Sequence, residues 1–445
     1  MGASRFCWVV LAVAGTPGFA LGADGDLSLG LTAGVAGISL PGLTSGVYGT
    51  GAFDSGFDNT TLGPSLALSG SVALDPFNGL DVAIGWSGFA NMGHIGFSGT
   101  ETFSGPGVVV IPGITTPGNS SISLTTSSGG GLAAANSTIT NNNPEGGSAN
   151  AISDQPVAGG VGNVVAVTPS AGNNSFAYAA TTADGPNNAA AAYAAIGASD
   201  GGIFIGAGDL TGLSISSDFS MDVVYTGADM SVTLSGVVND RTAVQVYAGP
   251  SYRYLSQVGD SSLTVDIPEA APSAVTFPEF SMDGHGDLKS HYLGGVLGGN
   301  ISYIVGSNLI FTLGGEGGLY WVHDKLTGSE SYTVGGGFNG VGPYPTQTVT
   351  NSGISVEGDG LAWAGRLNGT FTVQLAPARQ LSFGGSVEYL SRVASLRGSP
   401  ALDSNTYTAG SDDGSATWSK GSKGASLSYG DMWNFTGTIS LTGQF

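Results

Sequence analysis

Apolar and polar residues alternate with a period of two along much of this chain, and the pattern runs longest at its C-terminal end. From Ala425 to Phe445 the odd positions carry Leu427, Tyr429, Trp433, Phe435, Ile439, Leu441 and Phe445. The even ones carry Ser426, Ser428, Asn434, Thr436, Thr438, Ser440 and Thr442. A period of two sorts these sets onto opposite faces of a strand. Strands of soluble sheets usually sustain it for about five or six residues. A run this long fits a strand with lipid on one side and a polar lumen on the other.

Nine earlier stretches share the rhythm. Strand one runs over about 24–35, with Leu27, Leu29, Leu31, Ala33 and Val35 in phase. Strands two and three carry Leu62 to Leu74 and Leu80 to Trp86 around the turn Asp75-Pro76-Phe77-Asn78-Gly79, where Pro sets φ and Asn-Gly accepts positive φ. Strand four holds Phe219, Met221, Val223 and Tyr225, then Met230, Val232 and Leu234; the change of phase near Gly227 predicts a bulge. Strand five follows Asn239-Asp240-Arg241, strand six covers about 289–305, and strand seven carries Leu309 to Trp321. Strand eight sets Leu361, Trp363, Leu367, Phe371 and Val373 against Arg366, Asn368, Thr370 and Thr372. Strand nine holds Leu381, Phe383, Val387 and Tyr389. The pattern predicts ten strands with short turns at one end and long loops at the other, or twelve if a hairpin lies between Asn163 and Ile205.

Trp321, Trp363 and Trp433 each lie twelve residues from an outward apolar residue at the turn end, respectively Leu309, Leu375 and Phe445. At ~3.3 Å per residue and a tilt of ~40°, that climbs roughly 30 Å, the height of an apolar band with its rims. The spacing predicts an aromatic girdle of Trp321, Trp363 and Trp433 with Tyr254 and Tyr389 at one level, and Phe311, Phe383 and Phe445 at the other.

Composition narrows the class. The chain has 445 residues, 77 of them Gly, and only 10 % are charged. No downstream apolar run is long enough for a spanning helix. The formal charge is −21, and Phe6 to Asp240 contains neither Lys nor Arg, so there is no basic stripe for nucleic acid. Residues 1–22 have the form of a secretory signal peptide: Arg5, a short apolar core from Phe6 to Ala14, and Ala20-Leu21-Gly22 before Ala23. The single cysteine, Cys7, falls in this leader, so no disulfide framework is expected in 23–445. Residues 97–210 are rich in Ser, Thr, Asn, Ala and Gly and hold six acidic residues and no basic ones. They are expected to form a low-complexity extracellular insertion without a core of its own.

The closing strand, ending on Phe445 with Ile439 and Leu441 in phase behind it, resembles that of bacterial outer-membrane β-barrel proteins. The resemblance implies an all-β transmembrane antiparallel up-and-down barrel in the bacterial outer membrane, with lipid around it. It also implies recognition of the last strand by the outer-membrane assembly machinery.

The inward phase gives the lumen Arg253, Glu316, Arg366, Glu388 and Arg392, with Arg366 expected to bridge Glu388 and Glu316 at mid-height. Such charges either plug the lumen or form a constriction. Asp283, His285 and Asp287 alternate in an acidic outer loop that could take a divalent cation. His323-Asp324 at the outer rim resembles the His–Asp pair of surface proteases built on ten-stranded barrels, but no matching pair of aspartates is evident apart from Asp412-Asp413. No cofactor motif is present and no enzyme activity is expected. Two functions remain: a porin-like channel for small solutes with an acidic mouth, or a surface-display or envelope-structural barrel with a plugged lumen and the long insertion as its working part.

Overall fold

The computed structural model describes residues 27–41, 59–102, 213–266, 279–306, 308–335, 347–376, 379–396 and 427–444, together with the backbone of several short strands outside these ranges. Ten antiparallel strands close a barrel: β1 (Leu27–Ser39), β2 (Thr60–Phe77), β3 (Leu80–Thr102), β4 (Ser214–Asn239), β5 (Thr242–Asp266), β6 (Glu279–Ile304), β7 (Leu309–Gly335), β8 (Gln347–Ala376), β9 (Arg379–Ser395) and β10 (Ser428–Gln444). Each pairs with its neighbours in sequence, and β1 closes the ring on β10, with Leu31 opposite Leu441 and Ala33 opposite Ile439. The β2–β3 turn uses Asn78 and Gly79 at φ 52° and 79°, the left-handed pair that matches the twist of a two-residue hairpin.

The turn half of the barrel wears its apolar residues outside. Leu293, Leu319, Leu361 and Leu367 are 66–74 % exposed, while Thr372, Asn300 and Asn434 of the same strands or their neighbours point inward and are buried. Trp321, Trp363, Trp433 and Tyr389 cap this band. Tyr389 packs on Trp363 and Trp433 with ring centroids 4.5 and 5.0 Å apart. Tyr254 lies against His291, and Phe311 pairs with Phe371 at 4.9 Å, while Phe383 is exposed at the turn-side rim. Phe445 and residues 1–22 lie outside the described residues.

Above the tryptophans the polarity inverts. On β4, Asp218, Ser220 and Asp222 face outward and Phe219, Met221, Val223 and Tyr225 are buried inside. The register of β4 against β3 and β5 runs unbroken past Gly227, and its one shift, against β5, lies between Val237 and Asn239. The bulge expected at Gly227 is therefore absent. The strand keeps its phase, and the apolar side changes because lipid outside gives way to water outside.

The same inversion explains why β6, β7 and β8 extend ten or more residues beyond the stretches legible as lipid-facing. β4, at 26 residues, is roughly twice as long as a bilayer requires.

The inserted segment begins and ends slightly later than the expected bounds 97–210. β3 runs on to Thr102 and β4 starts at Ser214. Between them, short strands pair into two small sheets outside the ring, one joined by Tyr48–Gly49 and the other by Ser415–Ser419. A hairpin does lie between Asn163 and Ile205, formed by Ser175–Asp184 and Asn187–Ile196. It pairs within one of these sheets and does not enter the barrel, so the ring has ten strands.

Leu367 faces lipid midway along the band. Replacing it with Arg is expected to lower folding stability by about 2–4 kcal/mol, whereas Ser220→Arg, on the same face above the tryptophans, is expected to change it by less than about 0.5 kcal/mol. Denaturant titration of the two variants in lipid vesicles checks this.

Candidate functional site

The interior is organised around Arg253 of β5, whose side chain is fully buried. Its Nη1 donates to Asp229 Oδ1 at 2.6 Å and to Ser251 Oγ at 3.0 Å, and its Nε lies 3.5 Å from Glu388 Oε1. Its Nη2 is 3.7 Å from Glu316 Oε1, and the guanidinium stands 5.2 Å from the Phe89 ring. Glu316 also accepts from Arg366 at 2.8 Å and from the Tyr247 hydroxyl at 3.0 Å. Glu388 accepts from the Tyr225 hydroxyl at 3.0 Å and from Asn434 at 3.4 Å. Buried charges are tolerated only when paired in this way, and five strands contribute to the pairing.

Glu316, Arg366 and Glu388 occupy one cross-strand row, Glu316 opposite Arg366 and Arg366 opposite Glu388. One of the two ion pairs expected within that row forms. Arg366 binds Glu316, and Glu388 is held instead by Arg253, because Arg253 reaches in from the opposite wall.

Arg392 does not join this network. The β9–β10 register shifts between Leu390 and Val393, and Arg392 takes φ 54°. That bulge lays its side chain against the inward-facing position of Gly360 on β8, where it donates to the Asp359 carbonyl at 2.6 Å and lies 4.1 Å over the Tyr429 ring. Asp229, Tyr225 and Tyr247 escaped sequence reasoning. An unbroken count along β4 places Asp229 and Tyr225 on the inward face; the supposed bulge at Gly227 turned Tyr225 outward, while Asp229 kept the inward phase and went unremarked.

The bulge has a second effect: it tips the end of β9 into the barrel. Gln257 of β5 donates to the Ala394 carbonyl at 2.7 Å and accepts from the Leu396 amide at 3.3 Å. Leu396 packs where a Cβ on Gly259 or Gly286 would meet it, so a side chain at either position would push its methyls aside. Leu396 joins a single apolar cluster fed by every strand, from Ile38 on β1 through Phe89, Val223, Leu255, Tyr292 and Val322 to Met432 on β10.

The remaining candidates separate. His323 faces outward and pairs with Asp359 at 2.9 Å, while Asp324 points inward and is fully buried, so the two do not form a couple. Asp412-Asp413 lies outside the described residues. Asp283, His285 and Asp287 sit on β6 rather than in a loop. His285 pairs with Asp260 at 2.7 Å and Asp287 with Lys289. Among the described residues, no group of three or more His, Cys, Asp or Glu is placed to hold a metal ion.

The closed up-and-down ring and its girdled apolar exterior define the class: an antiparallel up-and-down β-barrel of the kind that spans membranes. No protein-family model matches the chain, and no characterised protein matches it in sequence. Among solved structures it is similar to the outer membrane protease OmpT of Escherichia coli, at 10 % identity, covering 94 % of this chain and 95 % of that one with a TM-score of 0.32. It is also similar to the monoaromatic hydrocarbon channel CymD, at 11 % identity, covering 95 % and 89 % with a TM-score of 0.25. A third is the toluene transporter TodX of Pseudomonas putida, at 9 % identity, covering 96 % and 91 % with a TM-score of 0.24.

Two outcomes follow from these interior groups. Arg253→Met leaves three carboxylates facing one remaining arginine, and is expected to cost about 3–5 kcal/mol of folding stability, measured by denaturant titration. Asp324 stands above the tryptophans, outside the spanning segment, and burial pushes its carboxyl above the usual range while the hydroxyls of Ser290 and Tyr429 pull it down. A raised folded-state pKa means that the folded protein holds the proton more tightly than the unfolded chain. The stability this contributes is present at low pH and lost as pH rises through the folded value. From pH about 4 upward, wild type should therefore lose stability that Asp324→Asn keeps.

Proposed function

We propose that this protein is a sealed outer-membrane barrel that presents its long extracellular insertion, rather than an open porin. The observation that carries this is the apolar cluster above the Arg253 network. A side chain lining an aqueous pore is wetted, yet Val223, Tyr225, Leu255, Tyr292 and Val322 are all 0 % exposed, and all ten strands contribute to the cluster. Water-filled passage would need that cluster to come apart, at a cost of roughly 25 cal/mol for each Å² of apolar surface wetted. The span between Thr102 and Ser214 is far longer than a strand connection needs, which supports a working role for that segment. Location in the bacterial outer membrane, with the last strand serving the assembly machinery, accords with this reading.

Arg366 lies at the lower edge of the seal, so removing it should not open a path. Purified wild type and Arg366→Ala in planar bilayers are both expected to show no conductance steps. Stable cation-selective steps from wild type would favour the porin reading instead. Treatment of intact cells with a broad-specificity protease should cut between Thr102 and Leu210 and spare the barrel.

A further inference from the structure

Between the Arg253 network and the turn end of the barrel lies a cavity of about 120 Å³. Its ceiling includes Glu388, Arg366, Asn91 and Asn434, its walls Asn300 and Asn368, and Thr and Ser hydroxyls line the remainder. Two observations bear on what it takes. The first is charge. Three carboxylates, Asp229, Glu316 and Glu388, face two guanidiniums, Arg253 and Arg366. The shortest pairings, Arg253 with Asp229 at 2.6 Å and Arg366 with Glu316 at 2.8 Å, leave Glu388 at 3.5 Å as the least compensated carboxylate, and Glu388 borders the cavity.

The second is a pair of unsatisfied amide oxygens. Asn91 and Asn300 are 1 % and 3 % exposed, and the Oδ1 of each has no hydrogen-bond partner, while each Nδ2 is spent on a neighbour: Asn91 on Asn434 at 3.2 Å and Asn300 on Gln245 at 3.0 Å. The Nδ2 of Asn368 on the same wall is the one unpaired amide donor among the described lining residues. A buried amide oxygen without a donor is costly, and so is a net buried negative charge.

We propose that this cavity binds a small monovalent cation, an alkali ion or ammonium, held by the Glu388 carboxylate and amide oxygens. Its candidate ligands are all hard oxygen donors, with no thiolate or imidazole among them, which suits such ions and not a transition metal, while the Arg366 guanidinium stays paired with Glu316. The net charge of one favours a monovalent over a divalent ion, and disfavours anions. This inference is independent of whether the insertion is displayed.

The test is thermal unfolding of the full-length protein in detergent at fixed ionic strength, with Na⁺, K⁺ or ammonium replacing the bulky N-methylglucammonium ion. Binding to the folded state alone raises the midpoint with cation concentration. The shift should follow ion size, and comparing ammonium with the alkali ions separates the two sources. Asn91→Leu and Asn300→Leu should abolish the size dependence. Asp229→Asn, which cancels the surplus charge without bordering the cavity, should weaken binding about tenfold while leaving the size order intact. Equal midpoints in all four salts would overturn the proposal. So would a midpoint in N-methylglucammonium that rises on acidification to the value seen with alkali ions, since a proton would then be balancing the charge.

Discussion

The constraint on which this structure depends is that one unbroken alternation must serve two solvents. Within the bilayer a strand must turn apolar side chains outward, because lipid lies there and any water or charge lies within. Above the bilayer the outside is water, and the same strand must turn its apolar side chains inward. The chain meets both demands without shifting phase. On β4, even positions face outward throughout, Met230 and Val232 into lipid and Asp222 and Ser220 into water. The upper barrel thereby gains a hydrophobic core of the kind found in soluble proteins, and the seal across the lumen follows from the length of the strands.

Arg253 sits at the junction of these two regimes. Above it lie Tyr225, Tyr320 and Val322, and below it are the amides and hydroxyls of the lower lumen. A guanidinium suits that position because its planar fork can satisfy several acceptors at once while its face stacks on Phe89. The bulge at Arg392 completes the upper half. One residue in the left-handed region lays its own charge against Gly360, Asp359 and Tyr429, and sends the following segment, ending at Leu396, into the core. Gln257 fixes that segment through its backbone, so the closure is held by directed hydrogen bonds as well as by packing.

The ring itself was legible in the sequence because lipid-facing alternation is strong wherever it occurs. Trp321, Trp363 and Trp433 marked its upper limit through their shared spacing from the turns. The water-exposed half was misread for a physical reason: Phe219 to Tyr225 are as apolar as the lipid-facing residues but lie on the opposite face, so a uniform rule demanded a bulge. Glu316, Arg366, Glu388 and Arg253 were placed inside by phase alone, yet phase does not say which partner a long side chain reaches, and Arg366 turned to Glu316. The partners of Arg392 were hidden because a bulge that depends on a single positive φ at a non-glycine residue leaves no signature in composition. The pairing of residues 106–209 into small sheets was equally hidden, since backbone pairing among Ala, Thr and Ser needs no alternation of polarity.

Aqueous labelling of single cysteines above the tryptophans measures the inversion most directly, in a background where Cys7, the one native cysteine, is replaced. Asp222→Cys and Val223→Cys are adjacent on β4 and face opposite sides of its wall. A membrane-impermeant maleimide should modify Asp222→Cys rapidly and leave Val223→Cys untouched until the barrel is unfolded. Equal labelling of the two in the folded protein would mean that water fills the upper lumen, and the sealed interior would have to be given up.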